Sequence, residues 1–300
     1  STLAKMLNPN IRVIGVEPAG AACMKASLQA GEVVTLPNVN TIADGTAVKT
    51  PGKNVFPYLQ KNQPEIIVSQ MVKISGIGES QVAEEIQDLI ESQTNPTIAP
   101  YAKTGEVHLR VTASAENEKA CRKLIKPVVK ELKKRFGENV FATDESKTLE
   151  EAVIDLLKEK DLKLSLAESL TGGMIAQRIV NVSGASEVFG YGFVTYSNKA
   201  KHKCLGVKKR TLKEQGAVSA KCAREMAKGA CKASGADISI SVTGLAGPGG
   251  GTKETPVGTV FMGCCYKGKA IAKEFHFTGN RMRIREQTTA HALAMLRDCI

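Results

Sequence analysis

Three stretches of this 300-residue chain set out side chains that could do chemistry. The first is Ala167-Glu168-Ser169-Leu170-Thr171-Gly172-Gly173, lying between an alternating apolar run and a helical one. A strand that turns sharply at a serine into a helix puts the hydroxyl at a sheet edge beside backbone N–H groups. Those amides can hold an oxyanion or a bound anion. The same pattern also describes a serine or threonine that only caps the helix. The second stretch is Val194-Thr195-Tyr196-Ser197-Asn198-Lys199-Ala200-Lys201, whose first residues read as the end of a strand, so that Tyr196 and Lys201 can face one crevice. A serine needs a base to become a nucleophile, and a lysine kept neutral by burial or by nearby positive charge supplies one. Lys199, His202 and Lys203 are near in sequence, and a solvated surface charge is the ordinary reading of any one of these lysines.

The third stretch, Thr243-Gly244-Leu245-Ala246-Gly247-Pro248-Gly249-Gly250-Gly251-Thr252, is a glycine-rich loop. Backbone amides in such a loop can approach a phosphate or carbonyl closely, although plain turns share the composition. Thr243, Gly244, Gly247 and Gly249 are its candidate binding positions, beside Thr171, Gly172 and Gly173 of the first stretch. Arg281 and Arg285 lie four apart at the start of a last helix, on one face, suited to a phosphate or to an ion pair.

The elements that must position these groups can be read around them. Thr148-Leu149-Glu150-Glu151 is a capping box that opens a helix with Leu149, Val153, Leu156 and Leu157 on one side. Leu162, Leu164 and Leu166 alternate as a strand, Met174 to Val180 is helical, and Ile238, Ile240 and Val242 form another strand. Residues 147–300 therefore read as an α/β domain. Upstream, residues 69–146 read as helix, strand, helix, a small α+β domain. Val82, Ile86, Leu89 and Ile90 mark its first helix; Asn95-Pro96 and Ala99-Pro100 are breaks; Val107, Leu109 and Val111 are the apolar side of a strand. Ala120, Leu124, Val128 and Leu132 mark a second helix that stops at Gly137. His108 is placed on the polar side of its strand, where no ligand is needed to explain it. Residues 1–68 offer a β-branched strand at Ile11–Val16, a helix from Ala21 to Ala30 closed by Gly31, and a proline-broken loop, an α/β layer without its closing half.

Composition narrows the class. With 42% hydrophobic and 24% charged residues the chain is neither disordered nor collagen-like. No apolar run approaches the ~18 residues of a membrane span, and the N-terminus lacks a basic-then-apolar leader, so a soluble cytoplasmic protein is expected. The chain opens at Ser1 rather than Met, as a processed product or a piece of a longer frame would. Eight cysteines show no C-x-x-C spacing and are expected to be buried reduced thiols, with no metal site. The net charge of +11 divides into +2 over residues 1–68, 0 over 69–147 and +9 over 148–300. A basic excess confined to one domain points to an anionic ligand. Five Tyr, eight Phe and no Trp leave little to stack on bases, which favours a small phosphate compound over nucleic acid.

Resemblances sharpen this. "NPNIRVIGVEPAGAACMKASLQAGEVVTLPNVNTIADGTAVKTPGKNVFPYLQKN" resembles the middle of threonine dehydratase, of the fold-type II pyridoxal-phosphate family. That family's Schiff-base lysine and phosphate loop lie upstream of the matching region, so an incomplete fragment without lyase activity is expected. "KISGIGES" and "QTNPTIAPYAK" resemble the KH-like domain of the CinA family. Gly76-Ile77-Gly78 is not the G-x-x-G loop that clamps nucleic acid, which favours a spacer or dimerisation piece. "LAESLTGG", "VFGYGFVTYSNKAKHKCLGV", "GAVSAKCAREMAKGA", "GADISISVTGLAGPGGGTKETPVGTV" and "FTGNRMRIR" resemble the CinA C-terminal domain, the PncC-like nicotinamide mononucleotide deamidases. That resemblance implies a three-layer α/β/α fold and a serine amidohydrolase with Ser169 as nucleophile, Lys201 as base and Tyr196 beside them. It implies nicotinamide mononucleotide as substrate, no cofactor, and a homo-oligomer of two or more copies. The backbone amides near Thr171–Gly173 or Gly244 would hold the oxyanion, and the loop amides with an arginine would hold the substrate phosphate, in keeping with the +9. Leu170 replaces the family's usual cysteine, and Tyr191 and Phe193 replace smaller residues, which is expected to reshape the pocket wall. The family's N-terminal pyrophosphatase-like domain has no counterpart here, so ADP-ribose hydrolysis is not carried over. The other readings are a silent fusion with a structural role and a remnant of a threonine ammonia-lyase.

Overall fold

The computed structural model describes residues 8, 15–42, 44–57, 59 and 65–300. They form two compact units, one of residues up to 68 with 114–123 and one of 69–113 with 124–300. In the first unit, helix α1 (Cys23–Ala30) is closed by Gly31 in the left-handed conformation, as its sequence predicts. Its N-terminal amides are held by a side chain from upstream: Glu17 accepts from the N–H groups of Met24 and Lys25, both at 2.9 Å. Of the strand expected at Ile11–Val16, residues 11–14 lie outside the described residues, and Gly15 and Val16 are not in a strand.

The KH-like segment runs β1 (Ile66–Ser75), α2 (Glu79–Glu85), α3 (Gln87–Ser92), β2 (Thr97–Lys103), β3 (Glu106–Ala115), α4 (Glu118–Phe136) and β4 (Val140–Ala142), with sheet order β2-β3-β1-β4. Three expectations need correction. The first helix is two, broken at Ile86, whose side chain is fully buried where the backbone leaves the helical region. Ala99-Pro100 does not interrupt the chain but lies within β2. That strand is a sheet edge, where a proline's missing N–H costs no ladder bond. The core side of α4 is Cys121, Ile125, Val129, Leu132 and Phe136: Leu132 is buried as expected, but Leu124 is exposed, and Cys121, Ile125 and Val129 take the places expected of Ala120, Leu124 and Val128, one residue later.

The remaining elements build a three-layer α/β/α domain. They are α5 (Leu149–Glu159), β5 (Leu164–Glu168), α6 (Met174–Val180), β6 (Phe189–Val194), α7 (Asn198–Leu205), α8 (Lys209–Glu214), α9 (Ala220–Ser234), β7 (Ile238–Gly244), β8 (Thr259–Tyr266), β9 (Lys269–His276) and α10 (Arg281–Cys299). The sheet order is β6-β5-β7-β8-β9, with β5 parallel to both neighbours and β7, β8 and β9 antiparallel. The capping box at Thr148 is made as expected: its side chain accepts from the Glu151 N–H while Glu151 reaches back. On one face, Val153 and Leu157 of α5, Ile175 and Ile179 of α6 and Leu293 of α10 pack on Leu164, Leu166, Ile238 and Ile240. Each such side chain contributes roughly 1.5–3 kcal/mol on burial.

Strand alternation gives the other face smaller residues. Ser239 and Ser241 donate to the α9 carbonyls of Ala227 and Ala223, both at 2.7 Å. At Gly263 a Cβ would stand 2.5 Å from the Ala223 carbonyl, so α9 can lie this close only over a residue without a side chain. Of the eight cysteines, all free, five are buried as expected, Cys231 and Cys299 are half-buried, and Cys204 is exposed on α7, where the expectation of buried thiols fails.

Candidate active site

The helices that follow β5 and β6 leave the sheet on opposite faces. α6 joins the layer with α5 and α10, and α7 joins the layer with α9. A crevice therefore opens between the carboxyl ends of β5 and β6, the switch point at which open α/β sheets bind ligands. Ser169 is the first residue past β5 and Thr195 the first past β6; the Thr195 N–H donates to the Glu168 carbonyl at 2.8 Å, which holds the two loop starts level.

Ser169 is not the cap of the following helix. Gly173 holds the N-cap position, at φ 102° after Gly172 at φ 60°, left-handed conformations that a side chain resists. The cap itself comes from Glu168, a residue the sequence reading passed over. Its carboxylate, 1% exposed, accepts from the N–H groups of Gly173 at 2.9 Å, Ile175 at 3.2 Å and Ala176 at 2.9 Å. A negative charge on a helix N-terminus is favourable. With this end of α6 filled from below, the Ser169 hydroxyl is free for other work. The signal available was an acidic residue immediately ahead of the serine, which resembles any surface glutamate until the turn is built.

Lys201 completes the pair. It sits in the first turn of α7, whose N-cap Ser197 accepts from the Ala200 N–H, and its side chain is only 2% exposed. Its Nζ lies 2.9 Å from Ser169 Oγ and donates to the carbonyls of Thr195 at 2.8 Å and Tyr196 at 3.4 Å. No carboxylate pairs with it among the described residues. Burial pushes its pKa below the usual lysine range, which raises the share of neutral amine, the form that can take the serine proton. The reading of Lys201 as a solvated charge is excluded by its burial.

Tyr196 is arranged differently. It is 62% exposed, and its hydroxyl accepts from Arg281 Nη2 at 3.1 Å rather than meeting Ser169 or Lys201. Arg281 also donates to the Gly247 carbonyl at 2.7 Å, so it ties the glycine loop to Tyr196 at the rim of the crevice. Arg285 does not face outward beside it. Its Nε and Nη2 donate to the carbonyls of Leu170 at 2.9 Å and Thr171 at 2.7 Å, bracing the serine turn. Thr243 is spent too, donating to the Ala217 carbonyl at 2.7 Å, and Gly244 ends β7, where a Cβ would strike the Thr259 carbonyl.

The amides are likewise divided. The Gly172 N–H donates to the Ser169 carbonyl and the Gly173 N–H to Glu168, whereas those of Leu170, Thr171, Gly247 and Gly249 make no hydrogen bond among the described residues. The hydroxyls of Thr171 and Thr195 are buried without a partner. Leu170 is buried in the core below the turn. Tyr191 and Phe193 lie on the α9 face of β6, where their rings stack on each other and Phe193 packs against the core under α7 and α9.

The comparisons with known proteins agree with this architecture. Residues 146–300 match the CinA C-terminal domain family, residues 69–142 the KH domain of damage-inducible protein CinA, and residues 1–95 the pyridoxal-phosphate dependent enzyme family. A protein of Clostridium beijerinckii that bears the competence-damage inducible name is 54% identical over 245 residues, 82% of this chain and 60% of its own length. A protein of the same name in Clostridium novyi is 45% identical over 284 residues, 89% of this chain and 68% of its own length. The chain thus spans well under the full length of these relatives. A crystal structure of a competence-damaged protein (CinA) superfamily protein from Escherichia coli is 35% identical, covers 55% of this chain and 98% of its own, and aligns with a TM-score of 0.50.

A pyridoxal-phosphate enzyme holds its cofactor on a lysine enclosed in a pocket. The lysines described in the matching region do not fit that role: Lys25, Lys49 and Lys53 are exposed, and the buried Lys73 gives its ammonium to the carbonyls of Glu145 and Lys147. Among the described residues no helix is long and apolar enough to cross a membrane. By family match and by identity over most of its length, the chain belongs to the CinA family.

Proposed function

We propose that the chain is a nicotinamide-nucleotide amidohydrolase, converting nicotinamide mononucleotide to nicotinate mononucleotide and ammonia. The observation that carries this reading is the buried, acid-free Lys201 amine at 2.9 Å from Ser169 Oγ. As the amine takes the hydroxyl proton, Ser169 Oγ attacks the carboxamide carbon and the carbonyl oxygen becomes an oxyanion. The uncommitted N–H groups of Leu170 and Thr171 are the donors this reading assigns to it, in place of Gly172 and Gly173, which are occupied. The lysine then returns its proton to the leaving nitrogen, ammonia departs, and water attacks the ester, with Lys201 again as base, to release the acid and restore the serine.

Tyr196 with Arg281 orients the substrate at the rim, and the amides of Gly247 and Gly249 with Arg281 take its phosphate. Arg285 acts through the turn it braces. The reading carries with it the division at residues 68 and 146, a cytoplasmic setting and a homo-oligomer. Incubating the protein with nicotinamide mononucleotide while following ammonia and the acid product tests it, with Ser169→Ala alongside. Turnover that disappears in the variant supports the assignment; ammonia release that survives in Ser169→Ala, or none from the folded wild type, overturns it.

A further inference from the structure

Strand β8 carries two adjacent cysteines, and strand alternation sends neighbours to opposite faces of the sheet. Cys264 stands opposite Ile240 in the register and Cys265 opposite Ser239. Cys264 therefore faces the core under α5, α6 and α10. Cys265 faces the layer of α9, where Ser239 donates to the Ala227 carbonyl. Each meets a second cysteine from the helix that covers it. Cys299, the last residue of α10, packs against the core that contains Cys264, and the Cys264 thiol donates a hydrogen bond to its sulfur. Cys231 of α9 donates from Sγ to the Cys265 carbonyl at 3.7 Å. All four thiols are free. A cysteine that only fills apolar space needs no thiol opposite it.

The two pairs differ in chemistry, because the thiolate and not the thiol is the nucleophile. At Cys299 the bond from Cys264, with the charge of Lys273 on β9, outweighs burial and the charge of Asp298 and holds the thiol below its usual range. Cys299 is half-buried, whereas Cys264 is 2% exposed and is kept protonated by the same bond and by burial. A reachable thiolate backed by a protonated thiol is the arrangement of a cysteine that is oxidised and then resolved. Access alone does not separate the pairs. Cys231 is also half-buried and lines, with Cys265, a cavity of about 430 Å³. Burial, however, pushes the Cys231 thiol up to about 11.

We infer that Cys299 and Cys264 form an oxidation site for hydroperoxides, which closes to a disulfide tying the last turn of α10 to β8. The Cys299 thiolate attacks one peroxide oxygen, the O–O bond breaks, and hydroxide leaves with the electron pair. Cys264 then attacks the sulfenic acid on Cys299, and its proton leaves with the displaced hydroxyl as water. In sum, two thiols and one hydrogen peroxide give a disulfide and two waters; both sulfurs are oxidised and both peroxide oxygens reduced. This departs from the sequence expectation of reduced, buried thiols, which rested on the absence of a C-x-x-C spacing; only the fold brings residues 264 and 299 together. It is independent of the amidohydrolase reading.

The test is treatment of the full chain with hydrogen peroxide in slight excess, followed by intact mass and peptide mapping. The protein should become two hydrogens lighter, with Cys264 cross-linked to Cys299 and with Cys231 and Cys265 still reduced, and a dithiol should reverse the change. The oxidised form should melt about 5–10 °C higher, because the bond closes a loop of about 35 residues in the unfolded chain. In Cys264→Ser, which keeps a donor, a sulfenic acid should persist on Cys299 and be trapped by dimedone. Cys299→Ser, a change at a half-buried position, should give neither product. In the wild type Cys299 should be consumed about tenfold faster than Cys204, although Cys204 is the more exposed. A melting curve for each variant shows that it folds, and should Cys264→Ser fail to fold, the wild type and Cys299→Ser decide. The inference is overturned if no Cys264–Cys299 cross-link forms, if Cys231 and Cys265 pair first, if Cys204 is consumed as fast as Cys299, if folded Cys264→Ser carries no dimedone on Cys299, or if the oxidised protein melts no higher than the reduced one.

Discussion

Two ionic sites in the second unit, one buried and one half-buried, are built in opposite ways. At the crevice, Lys201 is enclosed with a serine hydroxyl and two carbonyls and, among the described residues, no acid. On the other side of α6, charges are enclosed in a closed network. Arg178 donates to Glu150 at 2.5 Å and meets Glu106 at 3.4 Å, and Glu106 in turn binds the ring of His108 at 2.9 Å. Burial works to raise the Glu106 pKa, but the bond from His108 and the charge of Arg178 outweigh it and hold the carboxyl below its usual range. The His108–Glu106 pair also corrects the sequence reading, since the strand's polar side is buried there against the neighbouring helices rather than facing water. The contrast teaches where to look for chemistry. A satisfied network fixes structure, and a buried amine left without a counter-charge is a candidate for chemistry, held at a cost in stability.

The largest effect that could break this contrast is on turnover. Under the proposed mechanism, Ser169→Ala or Lys201→Met should each lower kcat by at least ~10⁴-fold, and the double variant should be no worse than either alone, because the two act as one unit. The wild-type rate should rise with pH through the depressed pKa of Lys201, since only the neutral amine accepts a proton, and the rise should begin below the ordinary lysine range. A rate that is flat in pH below that range, or losses that multiply in the double variant, would show that the pair is not the reacting unit.

The next effect is on stability at the closed network. Arg178→Met leaves two carboxylates partly buried without their cation and should cost about 2–4 kcal/mol at neutral pH by denaturant unfolding. The sign of its pH dependence follows from Glu106. Its folded pKa is depressed, so the stability it contributes is present above its unfolded value near 4.3 and is lost as pH falls through the folded value. Wild type and variant should therefore converge in acid. A variant as stable as wild type at neutral pH would mean that the network is a solvated ion pair in disguise.

Much of this could be read in the chain before any coordinates. The strand–serine–helix turn, the helix from Met174 to Val180, the capping box at Thr148 and the alternation of Ile238, Ile240 and Val242 all depend on local periodicity and capping, which neighbouring residues determine. What could not be read depends on partners far along the chain. Ser169 and Lys201 are 32 residues apart, and only the crossover of α6 and α7 to opposite faces brings Nζ to Oγ. Arg285 looked like an anion ligand because nothing local shows that the Leu170 and Thr171 carbonyls, more than a hundred residues earlier, will claim it. The +9 looked like a phosphate site, but residues 198–234 hold all of it, eleven Lys and Arg against two Glu, and a segment's net charge says nothing about which face of a layer carries it.

The smallest effect is the one that sharpens the contrast most, because its sign is the reverse of what a buried contact usually gives. Lys201→Met removes an amine that loses its charge, or keeps it at a cost, inside the crevice, and puts apolar volume in its place. The hydrogen bond to the Thr195 carbonyl is forfeited, so the net gain should be modest, about 1–2 kcal/mol at neutral pH, or a Tm higher by roughly 2–5 °C. Linkage fixes how that gain changes. Between the depressed folded pKa and the unfolded value near 10.4 the unfolded chain binds more protons, so wild-type stability rises with pH across that window. The advantage of Lys201→Met should therefore shrink as pH rises and be largest on the acid side. Calorimetry of the two proteins at several pH values would show it. A variant that is less stable than wild type at every pH would mean that the lysine's contacts with Ser169 and Thr195 repay its burial, and that the crevice and the Arg178 network are then two versions of the same satisfied design.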